Sequence, residues 1–435
     1  MQSGVLTADI GTSSLKAAII SEQGAVLQSS RVLFSQSVQA ADWVKAFLSV
    51  WTELASKYAI TALCISGNGP TLMGVHTGSS GVPASTVKSD GNAFSLLVDQ
   101  AKEDVLFLWN EPIERAAVPD TPSLFIPRLF AFKTKYPDAW RQCRHLLSGP
   151  EYLMYILTGN AVTVLPDPRY KPAYWDTASL QKWELFTDAL APFVPLGTEI
   201  GSFCGVPVIA GGPDFIAALI GTNTLHTGAA CDRAGSSEGL NICIAEPCFS
   251  KQTLCLPSII TDLWNISFLI PRSGSAFAQF AVREGFTACS YRCCMEKIMS
   301  EPFRLSAPYP NTQTGRGRTF VEELGFGLRT GFNGIEHCSG HTPVYTLSGG
   351  QSKNAVWCQF KADITGRTFA LPHCADAELL GNAALAFYTL GYYPTLSAAA
   401  ANLSTIDRWY EPEPHTAALY SEKYAAFCCK EKETP

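Results

Sequence analysis

Two stretches of the sequence place an aspartate beside small residues where an apolar run ends. The first is DIGTSSLK, whose candidate residues are Asp9, Gly11, Thr12, Ser13 and Lys16. Glycine lets a backbone approach a ligand closely, and hydroxyl and N–H groups donate to phosphate oxygens. An aspartate at a strand end suits a hydrated Mg²⁺ ion, and a lysine adds a cation. The stretch predicts a phosphate and metal site, and a plain hairpin with a solvated aspartate is the alternative.

The second stretch is AGGPDFIAALIG, in which Asp214 follows a glycine pair and opens a helical segment. A carboxylate at this junction can take the proton from an attacking hydroxyl group. The alternative is a helix cap, which is common and contributes about 1 kcal/mol.

Two further glycine turns lie in the second half of the chain. DRAGSSEG contains Gly235, Ser236 and Ser237, which can contact further phosphates or simply close a hairpin. LSGGQSKNAVW places two glycines between a strand end and a helix amino terminus, a place that accepts an anion or a nucleotide. Each turn alone is weak evidence, but four such stretches in order favour a nucleotide-binding enzyme.

The elements that must position these residues can be predicted from apolar periodicity. Three apolar runs, 4–10, 15–20 and 25–33, are separated by turn formers and predict a three-stranded meander. Apolar residues then recur every three or four positions over 43–58, which predicts a helix, and AITALCIS predicts a buried strand. This order indicates a mixed sheet with a helix on its face.

The same theme returns after residue 222, with strands around a Gly-Ser-Ser turn followed by helical segments. We therefore predict an α/β fold with two domains, residues 1–221 and 222–435. Each is expected to be a mixed sheet flanked by helices, with a cleft between the two domains.

Composition narrows the class of protein. Of 435 residues, 47% are apolar and 16% are charged, which is typical of a globular fold. The net charge of −6 comes without a basic block, so no nucleic-acid partner is expected. No signal peptide or membrane span is recognisable, and a cytoplasmic protein is predicted. Fifteen scattered cysteines are expected to be reduced thiols, and the apolar composition leaves room for a homodimer interface.

The four stretches, together with YLMYILTGNAVT and FVEELGFGLRTG, resemble the motifs of the FGGY carbohydrate kinases, in order, over roughly residues 4–400. The resemblance implies two actin-like (ribonuclease H-like) domains. It also implies transfer of the γ-phosphoryl group of ATP to a sugar or polyol hydroxyl, as in xylulose and glycerol kinases, with Mg²⁺ present. Asp214 would be the general base and would share the metal with Asp9. The segment similar to the adenosine motif places at the nucleotide Gly349, Gly350, Ser352, Lys353 and Asn354.

The departures from the family pattern concern the sugar side. Family members carry polar pairs after the strand ALCIS, whereas this chain has GNGPTLMG, in which Asn68 is the remaining polar candidate. LFLWNEP is similar to the family's Leu-Trp-Asn-Asp segment and adds Trp109 and Glu111 to Asp214 as substrate candidates. A catalytically weakened relative that binds nucleotide or sugar in a regulatory role is therefore the alternative. A chaperone-type motor is a third interpretation, disfavoured because no substrate domain is recognisable.

Overall fold

The chain folds as two units, each built around a mixed β-sheet. The structure is a computed structural model and describes residues 1–78, 91–114, 118–250, 252–286, 289–340 and 344–433. The first unit comprises Met1–Gly221 and Glu378–Leu403, and the second comprises Thr222–Ala377 and Ser404–Pro435. The expected division into 1–221 and 222–435 differs in one segment, because Glu378–Leu403 packs with the first unit.

The central sheet of the first unit has six strands in the order β10-β11-β4-β1-β2-β3. They are β1 (Ser3–Ile10), β2 (Ser14–Ile20), β3 (Val26–Leu33), β4 (Ala59–Gly67), β10 (Glu199–Phe203) and β11 (Val206–Pro213). β1 pairs antiparallel with β2 and parallel with β4, and β4 pairs parallel with β11. The predicted meander and buried strand are thus present.

Helices and two small sheets complete the first unit. The helix predicted over 43–58 is α1 (Ala40–Ala55), which buries one apolar face, including Trp43, Phe47 and Trp51. The small sheets contain β5 (Leu72–His76), β6 (Val105–Phe107) and β7 (Cys143–Leu147), and β8 (Thr163–Leu165) with β9 (Phe193–Pro195). The other helices are α2 (Gly91–Gln100), α3 (Ile126–Lys135), α4 (Pro137–Gln142), α5 (Gly149–Thr158), α6 (Thr177–Lys182), α7 (Asp214–Gly221), α12 (Ala377–Thr389) and α13 (Leu396–Leu403).

The second unit has a seven-stranded sheet in the order β14-β15-β13-β12-β16-β17-β18. Its strands are β12 (Ala230–Ala234), β13 (Glu238–Ile244), β14 (Leu254–Pro257), β15 (Trp264–Ile270), β16 (Tyr345–Ser348), β17 (Phe369–Pro372) and β18 (Ile406–Tyr410). Its helices are α8 (Ser273–Arg283), α9 (Tyr291–Met299), α10 (Gln313–Ser339), α11 (Ala355–Thr365) and α14 (Pro414–Glu433).

The two large sheets share one pattern of strand pairing. In the first unit, β3, β2 and β1 are antiparallel neighbours, β4 and β11 follow in parallel, and β10 closes the edge antiparallel. In the second unit, β15, β13 and β12 are antiparallel, β16 and β17 follow in parallel, and β18 closes the edge antiparallel. β14 is an additional edge strand beside β15. The prediction of two similar halves, each a mixed sheet with helices, is confirmed at the level of topology.

Two expectations from composition can be compared with the structure. Within the described part of the chain, no helix has both the length and the apolar character needed to cross a bilayer. All fifteen cysteines are free thiols, and Cys64, Cys231 and Cys358 are among those packed in the cores.

One buried carboxyl group lies beneath the sheet of the first unit. Glu151, in the first turn of α5, is 2% exposed. Its Oε1 accepts a hydrogen bond from the Val164 N–H at 3.0 Å, whereas its Oε2 has no hydrogen-bond partner. Burial, only partly offset by the N–H groups, raises the pKa of Glu151 to about 7.

This raised pKa predicts a pH-dependent stability. The folded state holds the proton to a higher pH than the unfolded chain, so the free energy of unfolding should fall as pH rises from about 5 to about 7. A rise of this size corresponds to about 3 kcal/mol. Glu151→Gln should remove this part of the decline, measured by urea denaturation at pH 5 and pH 8. Glu103→Gln, at an exposed site, is the control, and a decline in Glu151→Gln equal to that of the unchanged chain would refute the assignment.

Candidate active site

The hairpin between β1 and β2 carries the first candidate residues. Its turn is closed by the Gly11 N–H, which donates to the Ser14 carbonyl at 2.9 Å, and the side chain of Ser13 at the tip is exposed. Asp9, near the end of the buried strand β1, is only 5% exposed. The hairpin predicted by the alternative interpretation is present, but its aspartate is buried and not solvated.

A chain of buried hydrogen bonds fixes the Asp9 carboxylate. The Ser66 hydroxyl, on β4, donates to Asp9 Oδ1 at 2.9 Å. The Asn382 Nδ2, on α12, donates to the Ser66 Oγ at 2.9 Å and to the Ala8 carbonyl at 3.0 Å. Ser66 and Asn382 are fully buried, so neither group has water as a substitute partner. Asp9 therefore depends for its orientation on a residue more than 370 positions away in the sequence.

Asp214 lies at the matching end of the neighbouring strands. Ser66 on β4 pairs with Asp9 on β1 and with Gly212 on β11, and β11 ends one residue before Asp214. A Cβ at Gly211 would lie 2.4 Å from the Ile65 carbonyl oxygen, so glycine is required for this close strand approach. Asp214 is the first residue of α7 and is half-buried. Its position suits the positive helix end, so a capping contribution and a chemical role coexist.

The charges around Asp9 are mainly negative. Burial, Glu378 and Asp214 raise the pKa of Asp9 to about 8, against the opposing effect of Lys16 and the Ser66 hydrogen bond. Glu378, at the start of α12, has its Oε2 3.8 Å from the Lys16 Nζ. That oxygen is buried and has no hydrogen-bond partner. Three carboxyl groups and one ammonium group thus belong to one cluster, in which Asp9 is buried and the other three side chains are partly exposed.

This donor set fits a hydrated divalent cation. A buried oxygen without a hydrogen-bond partner and an excess of carboxyl groups are both satisfied by an added positive charge. In the ranges that the structure covers, no three His, Cys, Asp or Glu side chains stand close enough to enclose a metal ion by themselves. The residues therefore suit an ion that keeps its waters and binds a ligand's phosphates, as Mg²⁺ does, better than a fully protein-coordinated metal.

Two predicted substrate residues contact the tip of the hairpin. The Thr12 Oγ1 accepts hydrogen bonds from the Asn68 Nδ2 at 3.0 Å and from the Trp109 Nε1 at 2.8 Å. The Asn68 Oδ1 in turn accepts a hydrogen bond from the Thr71 hydroxyl at 3.0 Å, and Asn68 is 5% exposed. Trp109 is 47% exposed. The amide of Asn68 is therefore used to hold Thr12, and the ring of Trp109 is the part available to a ligand.

Glu111 is used within its own loop. Its carboxylate accepts a hydrogen bond from the Leu108 N–H at 3.1 Å and forms an ion pair with Lys135. The Arg128 guanidinium donates to the carbonyl groups of Leu108 and Glu111 and fixes the same loop. These contacts hold the loop from Leu108 to Glu111. Glu111 therefore helps to position Trp109, which lies between these two residues in the chain.

The turn predicted to bind further phosphates joins β12 to β13. The Gly235 N–H donates to the Ser237 carbonyl at 2.9 Å, and Gly235 and Ser236 are exposed. The Gln351 Nε2 donates to the Gly235 carbonyl at 2.7 Å and to the Ser273 hydroxyl at 3.0 Å. The turn therefore presents its hydroxyl groups and backbone to solvent while a buried amide holds it from one side.

In the glycine turn before α11, some residues fix the shape of the turn and others border open space. Gly349 has φ +86°, and a Cβ there would lie 2.5 Å from the Ala234 carbonyl oxygen, whereas a Cβ at Gly350 would meet open space. The Ser352 hydroxyl donates to the Gly349 carbonyl at 2.6 Å, and the Asn354 Oδ1 accepts from two N–H groups at the start of α11. Lys353 is exposed and its Nζ lies 2.9 Å from Asp376 Oδ2. The buried side chains shape the turn, and Gly350 and Lys353 border the space beside it.

Comparison with known proteins relates this arrangement to a family. A family model described as FGGY family of carbohydrate kinases, C-terminal domain, matches residues 308–390. An autoinducer-2 kinase of Salmonella choleraesuis is 22% identical over 369 residues, which cover 68% of this chain and 67% of that protein. A xylulose kinase of Escherichia coli is 23% identical over 422 residues, which cover 82% and 84% of the two chains.

Solved structures show the same fold. The xylulose kinase of Lactobacillus acidophilus has a TM-score of 0.75 at 16% identity and covers 99% of this chain and 98% of its own. The glycerol kinase of Plasmodium falciparum with ADP has a TM-score of 0.71 at 14% identity, with 99% of both chains covered. The predicted α/β fold of two actin-like domains is confirmed.

Four residues of the site were missed by reasoning from the sequence: Ser66, Glu378, Asn382 and Gln351. Asn382 carried the clearest signal, since it is the one polar side chain in the apolar helical run LLGNAALA. A polar residue on an apolar helix face indicates a buried partner, but the sequence cannot name that partner.

Removal of the Asn382 amide should destabilise the first unit. Asn382→Ala leaves the Ala8 carbonyl and the Ser66 hydroxyl without their buried donor, which should lower the free energy of unfolding by about 1–3 kcal/mol. Urea denaturation measures the loss. Asn402→Ala is the matched control, because Asn402 lies on the same returning segment but is exposed, and its change should stay within about 0.5 kcal/mol. Equal effects of the two substitutions would contradict the proposed hydrogen-bond chain.

Proposed function

Since the chain belongs to the FGGY family of carbohydrate kinases, we propose that it transfers the γ-phosphoryl group of ATP to a hydroxyl group of a sugar or polyol. The observation that carries the proposal is the position of Asp9 and Asp214. Two strand ends bring them into one acidic cluster, next to a hairpin tip of small hydroxyl residues. Phosphoryl transfer needs mainly positioning and charge stabilisation, which is what such a cluster offers.

Asp214 is the proposed general base. Its half-buried carboxylate lies at the start of α7, directly after β11, and it belongs with Glu378 to the acidic groups that raise the pKa of Asp9. A negative environment favours uptake of the hydroxyl proton by a carboxylate. Thr12 and Ser13 are the proposed donors to phosphate oxygens, and Lys16 offsets negative charge beside them.

Mg²⁺ is the metal that these residues are proposed to hold. Asp9 would be its main contact, and Asp214 and Glu378 would add negative charge to the site, since both are close enough to raise the pKa of Asp9. Once bound, the ion supplies positive charge to the phosphate oxygens. The Ser66 and Asn382 hydrogen bonds keep the Asp9 carboxylate in one orientation. The position of the proposed metal site would therefore be set by the protein before the ion binds.

The nucleotide is proposed to bind on the second unit. The exposed backbone and hydroxyl groups of Gly235–Ser237 suit phosphate oxygens. The open space beside Gly350 lets the adenosine part approach the start of α11, with Lys353 at its edge. Ser352 and Asn354 contribute by holding the shape of this turn.

The acceptor is proposed to be a small neutral sugar or polyol. Relatives of this chain are named for xylulose and autoinducer-2, and a solved neighbour for glycerol. The exposed ring of Trp109 offers an apolar face to the C–H groups of such a compound. The alternative, a weakened relative in a regulatory role, predicts nucleotide binding without acceptor-dependent ADP formation.

The proposal is tested by a panel of ketoses, aldoses and polyols, including xylulose and glycerol, with ADP release as the readout. At least one compound should raise ADP formation above the rate with ATP and Mg²⁺ alone. If ATP binds but no compound raises the rate, the regulatory alternative replaces the kinase.

Substitution of the base should separate chemistry from binding. Asp214→Asn should lower kcat by roughly 100- to 10,000-fold, because the acceptor hydroxyl loses its proton acceptor. The affinity for ADP, measured by calorimetry, should stay unchanged. Asp188→Asn, at an exposed position of the same unit, is the control and should keep full turnover. Comparable kcat values in the two variants would remove Asp214 from the role of base.

A further inference from the structure

A buried cluster of three charged residues lies behind the Gly235–Ser237 turn. The Lys361 Nζ, on α11, is 2.6 Å from Asp232 Oδ2 and 2.6 Å from Glu238 Oε1. The side chains of both acids are 0% exposed, and that of Lys361 is 1% exposed. Lysine is almost never fully buried unless it is paired, so this position calls for a specific explanation.

The two acids flank the turn on its two strands. Asp232 lies on β12 before the turn, and Glu238 is the first residue of β13 after it. In the antiparallel register Ala234 is opposite Glu238, so Asp232 is the diagonal neighbour of Glu238 on the same face of the sheet. The ammonium group of Lys361 therefore pairs with one residue on each of the two strands that the turn connects.

The lysine belongs to the segment that forms the proposed adenosine side. α11 begins at Ala355, after the glycine turn 349–353 and the N-cap Asn354, and carries Lys361 almost two turns later. From the glycine turn itself, the buried Gln351 holds the Gly235 carbonyl. One continuous stretch of chain therefore contacts the Gly235–Ser237 turn and its flanking strands in two places. The Gln351 amide donates to the Gly235 carbonyl group, and the Lys361 ammonium group pairs with the acids on the two strands.

The charge balance of the cluster favours a neutral state. Burial and the charge of Glu238 raise the pKa of Asp232 to about 8, in spite of the nearby Lys361. Asp232 therefore keeps its proton near neutral pH, and the Lys361 ammonium group contacts both carboxyl groups. A neutral cluster leaves the turn free of a buried negative charge that would repel phosphate.

We propose that Lys361 is a positioning residue for nucleotide phosphates, which sets the Gly235–Ser237 turn relative to the adenosine side. The inference rests on the proposed function, because it assigns the phosphates to this turn. Lys361 itself is buried and touches no ligand. It acts through Asp232 and Glu238, which hold the ends of the turn that would contact the phosphates.

The test compares ADP with adenosine, which lacks the phosphates. Lys361→Met leaves buried carboxylates unpaired and is expected to destabilise the unit, so the deciding variant is Asp232→Asn/Glu238→Gln/Lys361→Met, in which all three groups are neutral. Circular dichroism and thermal melting should show that it folds. By calorimetry its affinity for ADP should fall about 10- to 100-fold, as is typical when a supporting residue is removed, with adenosine affinity changed less than about threefold.

A matched control removes another buried ion pair of the same unit. Arg367 and Glu336 pair at 2.6 Å with 9% exposure each and lie outside the turn. Arg367→Met/Glu336→Gln should leave the ratio of ADP to adenosine affinity as in the unchanged chain, whatever its effect on stability.

The outcomes separate this inference from the proposed function. A folded triple variant with an unchanged ADP to adenosine ratio would overturn the inference, and so would a triple variant that does not fold, since the cluster would then serve stability alone. If the unchanged chain binds neither ADP nor ATP, the proposed function fails first.

Discussion

Burial of the Asp9 carboxylate is the constraint that organises the first unit. β1 is buried along almost its whole length, so the aspartate near its end cannot rely on water to satisfy its oxygens. Ser66 on β4 supplies one donor, and Ser66 is oriented by Asn382. The Asn382 hydrogen bonds are among the contacts that join Glu378–Leu403 to a unit whose other residues end at position 221. A carboxyl group held in this way is oriented before any ligand arrives, as the metal role proposed for Asp9 requires.

The second unit also has a buried acid on the strand before its small-residue turn, but the partner of this acid is a different type of residue. Its hairpin β12–β13 corresponds in pairing pattern to β1–β2, and Asp232 is an acid on the strand that precedes the turn, as Asp9 is. Here the compensating group is a lysine from the next helix along the glycine turn. The similarity of the two sheets therefore extends to a buried acid before each small-residue turn, while the partner of that acid differs.

The elements that could be predicted from the sequence are those governed by local pattern. The meander, α1, and the position of Asp214 between a strand and a helix follow from periodicity and glycine placement over a few residues. The partners of Asp9 and Asp232 could not be predicted, because Asn382 and Lys361 are brought to them only by the folded topology. Glu111 shows the reverse case: a residue next to a recognisable Trp-Asn pair was expected at the substrate, and the structure pairs it with Lys135.

The two units differ in how the charges of their buried acids are compensated. In the second unit Lys361 and the proton retained by Asp232 neutralise the buried acids, so little buried negative charge lies behind the adjacent turn. In the first unit the Lys16 Nζ lies 3.8 Å from Glu378 Oε2, which has no hydrogen-bond partner, and burial together with Glu378 and Asp214 raises the pKa of Asp9 to about 8. A cation bound at the proposed metal site would offset the charge of these carboxyl groups and favour the ionised form of Asp9.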